Sequence, residues 1–116
     1  MVEIINFDSK KRLIEFDEYE WKGHEGVPEH TRGTLLRYRD YGMDPGGFLT
    51  SVLTNDLFGA IGRADMANSH AIKDICTWVS MRMPAIAWGD PERVDTWINL
   101  GGIVGRRNME EEKYNV

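Results

Sequence analysis

The sequence predicts a mainly α-helical protein, a compact four-helix domain preceded by a short N-terminal β-like arm. From residue 28 onward apolar residues recur at helical spacing, and proline and glycine residues mark the ends of the helical runs. Residues 1–26 instead hold two β-prone runs separated by a polar turn, which indicates either a small hairpin or a partly ordered arm. We therefore divide the chain into an arm at 1–26, a helical domain at 27–102 and a charged C-terminal tail at 103–116, which we expect to be frayed.

The first two predicted helices cover residues 28–41 and 44–61. Pro28 opens the first helix at a position where its missing N–H costs nothing, and Gly42 ends it. The second helix begins with the N-cap Asp44 and carries apolar residues around most of its circumference. We therefore expect it to be central and largely buried.

The last two predicted helices end at Met83 and at Gly101. The third has an apolar stripe with spacings of three and four residues, and Pro84 closes it. Its stripe consists of Ile72, Ile75, Cys76, Val79 and Met83. The fourth starts at Asp90-Pro91, and we expect Trp97 on its inner face.

Charge and composition exclude several classes of function. The net charge is −5 and no basic cluster is visible, which disfavours binding to duplex nucleic acid. No apolar run approaches the roughly 18 residues that a membrane span needs. The single cysteine, Cys76, excludes an internal disulfide and is typical of a reducing compartment, so we expect a cytoplasmic protein.

Metal binding and nucleophilic catalysis find little support in the sequence. His70 and Asp74 share a helix face, but no further histidine or cysteine lies at ligand spacing from them. Cys76 lies on an apolar stripe, which predicts a packed and inert thiol. We expect a protein that is not an enzyme and that uses no cofactor.

The diglycine at the start of the second helix is a candidate anion site. Gly46 and Gly47 leave backbone N–H groups in the first turn with no side chain in the way, and Phe48 follows them. The helix dipole adds partial positive charge there, so a phosphate group is a plausible guest. The alternative is a tight turn between helices, with Asp44 occupying some of these N–H groups as the cap.

A polar group near the end of the second helix is the other candidate. Asn55 and Asp56 interrupt the apolar pattern, and Asp56 falls on an apolar face, where a carboxylate needs a partner. The expected partner is Arg63, Arg32 or a neighbouring helix N-terminus. The group is either a buried ion pair or capping network that fixes the bundle, or part of a polar pocket. For a ligand at the diglycine, Arg63 or Arg32 would supply the counter-charge and a tyrosine such as Tyr38 the stacking surface.

Several of these residues carry a resemblance to a known family. They are the runs Pro28-Glu29-His30-Thr31-Arg32, Pro45-Gly46-Gly47-Phe48-Leu49, Val52-Leu53, Asn55-Asp56-Leu57 and Gly62-Arg63-Ala64-Asp65. Together they resemble a family of small tailed-phage proteins, over about residues 27–100. The resemblance implies a phage origin and the cytoplasm of a host cell. The family has no established activity, so the resemblance assigns no catalytic or binding residue.

These observations lead to two main expectations about function. The first is a counter-defence protein that sequesters a phosphate-bearing small ligand such as a host nucleotide signal. The second is an inhibitor of a host defence or DNA-metabolism protein, acting through exposed aromatic residues and the arm; a structural phage component is a weaker third. We also expect a homo-oligomer, since three short helices cover an all-round apolar second helix poorly.

Overall fold

A computed structural model gives the architecture of the chain and describes residues 20–114. This part of the chain contains seven α-helices and one 3₁₀ helix, and no β-strand. The mainly α prediction is confirmed here, whereas the four-helix count is not. The predicted arm falls largely on residues 1–19, outside the described residues. No helix between residues 20 and 114 has both the length and the apolar character needed to cross a membrane.

The helices follow one another with short connections. They are α1 (Glu29–Tyr41), α2 (Gly46–Leu53), α3 (Leu57–Arg63), α4 (Met66–Ser69), α5 (Ile72–Arg82), the 3₁₀ helix (Ala85–Ala87), α6 (Pro91–Leu100) and α7 (Gly102–Tyr114). The main helix contacts join α2 to α3, α1 to α7, and α6 to both α7 and the 3₁₀ helix.

The boundaries of α1 and α6 are those that the proline and glycine residues predict. Pro28 precedes α1, and Gly42 follows it in the left-handed conformation with φ 67°. The Gly42 N–H donates to the Tyr38 carbonyl at 2.9 Å, which satisfies one of the last carbonyls of the helix. Asp90 caps α6 by accepting from the Arg93 N–H at 2.8 Å.

The prediction of one long helix over 44–61 is wrong. Asn55 adopts a left-handed conformation with φ 67°, which ends α2, and asparagine tolerates this region better than most residues. The Asp56 N–H then donates to the Ser51 carbonyl at 2.8 Å, and the chain restarts as α3. The break turns the apolar residues of the second half outward, and Phe58 is 85% exposed.

The C-terminal segment also differs from the prediction of a frayed tail over 103–116. Its described part forms α7, which packs against α1. Gly42 and Gly102 lie at the crossing, where a Cβ built on Gly102 would be 2.6 Å from the Gly42 nitrogen. The backbones therefore approach as closely as two glycines permit.

The core includes residues that the sequence assigns to the arm. Trp21 is 1% exposed and stacks on Trp78 with ring centroids 4.6 Å apart. The guanidinium groups of Arg32 and Arg39 lie over these two rings, at 5.3 and 6.0 Å from their centroids. Trp78, and not Cys76, therefore lies on the inner side of α5.

Candidate functional site

The α2–α3 pair carries six of the eight residues predicted to bind a ligand, with Asn55 and Asp56 at the opposite end of α2 from the diglycine. The six are Gly46, Gly47, Phe48, Asn55, Asp56 and Arg63. α2 carries the first three, the connecting turn the next two, and α3 the last. Because the turn reverses the chain and the two helices pack together, the start of α2 meets the end of α3.

The N–H group of Gly46, the first residue of the diglycine, already donates a hydrogen bond within the chain. Gly46 has φ 83°, a conformation that favours glycine, and its N–H donates to Oδ1 of Asp44 at 2.9 Å. Asp44 thus occupies one N–H group as the sequence predicts, but it lies one residue before the N-cap, which is Pro45 and not Asp44. The seat for an anion is therefore smaller than a fully open helix start.

The next two amides are open. Within residues 20–114 no acceptor is hydrogen-bonded to the N–H of Gly47 or of Phe48. Gly47 is exposed and Phe48 is half-buried, packing its ring against the core. Two adjacent N–H groups at the start of an eight-residue helix provide partial positive charge.

Arg63 lies directly against this helix start. A Cβ built on Gly47 would be 3.4 Å from Cδ of Arg63, so the arginine stem occupies the space that a side chain at position 47 would take. Its Nη1 donates to the buried Ser51 hydroxyl at 3.2 Å, while the residue as a whole is exposed. A Cβ built on Gly59 would be 2.6 Å from this Nη1 and would also meet the Asp56 carboxylate, so the guanidinium lies near Asp56 as well.

Asp56 takes the capping alternative, at a helix N-terminus, but it is not buried as its position on an apolar face predicted. It is exposed, and its Oδ1 accepts from the Gly59 N–H at 2.9 Å as the N-cap of α3. The expected buried ion pair with Arg63 or Arg32 is absent from the described residues. The carboxylate is stabilised by the helix start, and Nη1 of Arg63 lies nearby without forming an ion pair.

Arg32 and Tyr38 lie elsewhere in the fold. Arg32 donates to the carbonyls of Val27 and Glu25 at 2.8 and 2.9 Å. Tyr38 is fully buried, and its hydroxyl donates to the Ala87 carbonyl at 2.6 Å. Both side chains hold the core together, and neither faces the α2 entrance.

Depressions lie on both sides of the α2–α3 turn. A cavity of about 60 Å³ includes Asn55 and Asp56 in its wall. A shallow groove of about 370 Å³ lies between the turn, α5 and Trp88, and its rim carries Lys73. A third depression of about 430 Å³ is lined by residues 85–96. None of these three is lined by Gly46 or Gly47, and a Cβ built on Gly46 would meet nothing within 4 Å.

Cys76 is exposed at the edge of the groove, contrary to the prediction of a packed thiol. Partial burial among neighbouring atoms raises its pKa, so the thiol stays protonated at neutral pH and is a weak nucleophile. Across residues 20–114, no group of three histidine, cysteine, aspartate or glutamate side chains is placed to hold a metal ion.

The outer side of α3 is the feature that sequence reasoning missed. Leu57, Phe58 and Ile61 are 56%, 85% and 54% exposed, and Met66 at the start of α4 is 79% exposed. The sequence signal was the Asn55-Asp56 pair, which combines a residue tolerant of left-handed backbone with a good N-cap. Such a pair in the middle of an apolar run indicates a break.

Comparison with known proteins adds no relative. No protein-family model, no curated protein and no solved structure matches this chain. The resemblance to tailed-phage proteins therefore stays a prediction.

Proposed function

We propose that this chain is a non-enzymatic binding protein that holds a phosphate-bearing small ligand at the entrance of α2. One observation carries the proposal. The Arg63 side chain lies against Gly47, beside two N–H groups that have no acceptor among residues 20–114. An arginine side chain and a helix start are thus neighbours on the exposed surface.

The chemistry of this surface suits a phosphate. Phosphate oxygens accept from the Gly47 and Phe48 amides, while Arg63 donates from the side with one or two guanidinium N–H groups. Each charge-assisted hydrogen bond contributes about 1.5–3 kcal/mol. The absence of a side chain at Gly47 lets the anion approach the backbone.

Binding rather than catalysis is favoured by the neighbours of the seat. The Ser51 hydroxyl accepts from Arg63, and no carboxylate or imidazole among residues 20–114 is hydrogen-bonded to it as a base. The Asp56 carboxylate is engaged as a helix cap. The phage-like residue pattern then favours sequestration of a host nucleotide signal, a form of counter-defence.

A thermal-shift and calorimetry screen tests the proposal. Mono-, di- and cyclic nucleotides are added to the whole protein, with inorganic phosphate as the minimal probe. A ligand at a hundredfold excess over its Kd stabilises the fold by about 2.7 kcal/mol, a measurable rise in Tm. If every nucleotide leaves the Tm of the native protein unchanged, the proposal is wrong.

Arginine variants then locate the site. We expect Arg63→Ala to weaken binding about 10- to 100-fold, because it removes charge-assisted hydrogen bonds. Arg63→Lys keeps the positive charge but loses the planar guanidinium, so we expect its affinity to lie between those of the native chain and Arg63→Ala. The matched control is Arg106→Ala on α7, an exposed arginine paired with Glu110, which leaves affinity unchanged. Equal losses for Arg63→Ala and Arg106→Ala would show non-specific attraction.

A further inference from the structure

The exposed side of α3 has a distinct composition. At about 100° per residue, Leu57, Ile61 and Phe58 fall within roughly 100° of the helix circumference. Gly62 extends this arc by about 40°, and a Cβ built there would meet nothing within 4 Å. We call these four residues the apolar face of α3. The buried Ala60 lies on the other side of the helix.

The apolar face is large for a single exposed helix. A lone exposed leucine needs no explanation, but here every large residue of one helix face is more than half exposed. With Met66, the exposed area is on the order of 500 Å², given that a large apolar side chain offers roughly 150–250 Å². That value lies in the upper part of the range for the largest patch on a monomer.

Two copies of this area reach the size at which a biological interface begins. Pairing the patch with itself buries up to about 1,000 Å² of apolar surface, the area that a biological interface should clear, while standard stable complexes bury about 1,200–2,000 Å². Polar residues around the patch add further area as a rim. The apolar face carries no charged residue, although each chain has a net charge of −5. Pairing two copies of this face therefore places no like charges opposite each other on the face itself.

The shape of the face also complements itself. Phe58 is the most prominent side chain at 85% exposure, and Gly62, one turn later, leaves a gap. In an antiparallel pair about a two-fold axis, Phe58 of each copy lies over Gly62 of the other. Such a contact occurs twice, as an isologous interface requires.

We infer that the apolar face of α3 is a dimer interface, and that its occupant is a second copy of this chain. The inference is independent of the proposed ligand, because Arg63 faces α2 and the apolar face points outward. Burial in the dimer removes from water the apolar surface that Leu57, Phe58 and Ile61 expose in a single chain.

Sedimentation velocity and light scattering of the whole protein over a range of concentrations test the inference. The native chain forms a dimer. Phe58→Asp raises the dimer Kd about 30-fold or more, the factor of a hot-spot residue. Gly62→Phe fills the gap without adding charge and also weakens the dimer. Both variants keep the fold, since neither side chain is packed in the chain.

The control is Met81→Asp on α5, another exposed apolar residue, at 67% exposure. It leaves the dimer intact if the apolar face of α3 is the interface. A native chain that stays monomeric at high concentration overturns the inference, as does a dimer that survives both α3 variants. Nucleotide binding by the Phe58→Asp monomer separates the two proposals: its presence supports the ligand site whatever the oligomeric state.

Discussion

Trp97 and Tyr38 are joined by a buried hydrogen bond, in which the indole Nε1 of Trp97 donates to the Tyr38 carbonyl at 3.0 Å. Tyr38 in turn donates from its hydroxyl to the Ala87 carbonyl at 2.6 Å. Tyr38 of α1 therefore forms hydrogen bonds with both α6 and the 3₁₀ helix. All three residues are at most 1% exposed, so these bonds form without competition from water.

Tyr38→Phe is expected to lower the free energy of unfolding by about 1–3 kcal/mol. The substitution keeps the ring in the core but leaves the Ala87 carbonyl buried without its donor. Urea unfolding followed by circular dichroism measures the loss. A variant as stable as the native chain would mean that water or another donor reaches this carbonyl.

Alkaline pH tests the same residue in another way. Burial raises the pKa of Tyr38 well above its ordinary value of about 10, and the nearby Asp95 raises it further. The folded chain therefore holds a proton that the unfolded chain releases. The contribution of Tyr38 to the free energy of unfolding is complete below pH 10. Above pH 10 it declines by up to about 1.4 kcal/mol per pH unit.

The measurement is the difference in unfolding free energy between the native chain and Tyr38→Phe from pH 8 to 11. Other titrating groups are common to both proteins and cancel. We expect the advantage of the native chain to shrink above pH 10. An advantage that stays constant up to pH 11 contradicts the raised pKa.

The sequence predicted helices well where their ends carry strong local signals. Pro28 and Gly42 bound α1, and Asp90-Pro91 with Gly101 bounds α6, because backbone restrictions act within a few residues. The long helix over 44–61 failed for a different reason. Apolar residues covered most of its circumference, so periodicity gave no indication of which face is buried or where the chain turns.

Part of the candidate site could also be predicted from the sequence. The diglycine and Arg63 were singled out by residue type, and the structure brings them into contact because α2 and α3 pack together. The burial of Tyr38 depends on long-range packing against Ala87 and Trp97, which no local pattern encodes. The Trp21–Trp78 stack is of the same kind.

Asp56→Ala distinguishes a helix cap from a buried charge. As an exposed N-cap, Asp56 contributes about 1 kcal/mol, whereas breaking a buried ion pair costs about 3–5 kcal/mol. We expect the smaller loss in urea unfolding. Glu92→Ala, an exposed acid in the first turn of α6, is the control and changes stability by less than about 0.5 kcal/mol. A loss of 3 kcal/mol or more for Asp56→Ala would restore the ion-pair interpretation.

Glycine-to-alanine substitutions at two positions should have opposite effects. At Gly102, with φ 70°, a Cβ would be 2.6 Å from the Tyr41 and Gly42 nitrogens, and backbone atoms move less readily than side chains. Left-handed strain and overpacking together cost about 2–5 kcal/mol. At Gly62, a methyl group enters open space on a helix and stabilises it by up to about 1 kcal/mol. Thermal unfolding at concentrations low enough to keep the chain monomeric compares the two. Equal Tm values for both variants would show that α1 and α7 do not meet as closely as Gly42 and Gly102 indicate.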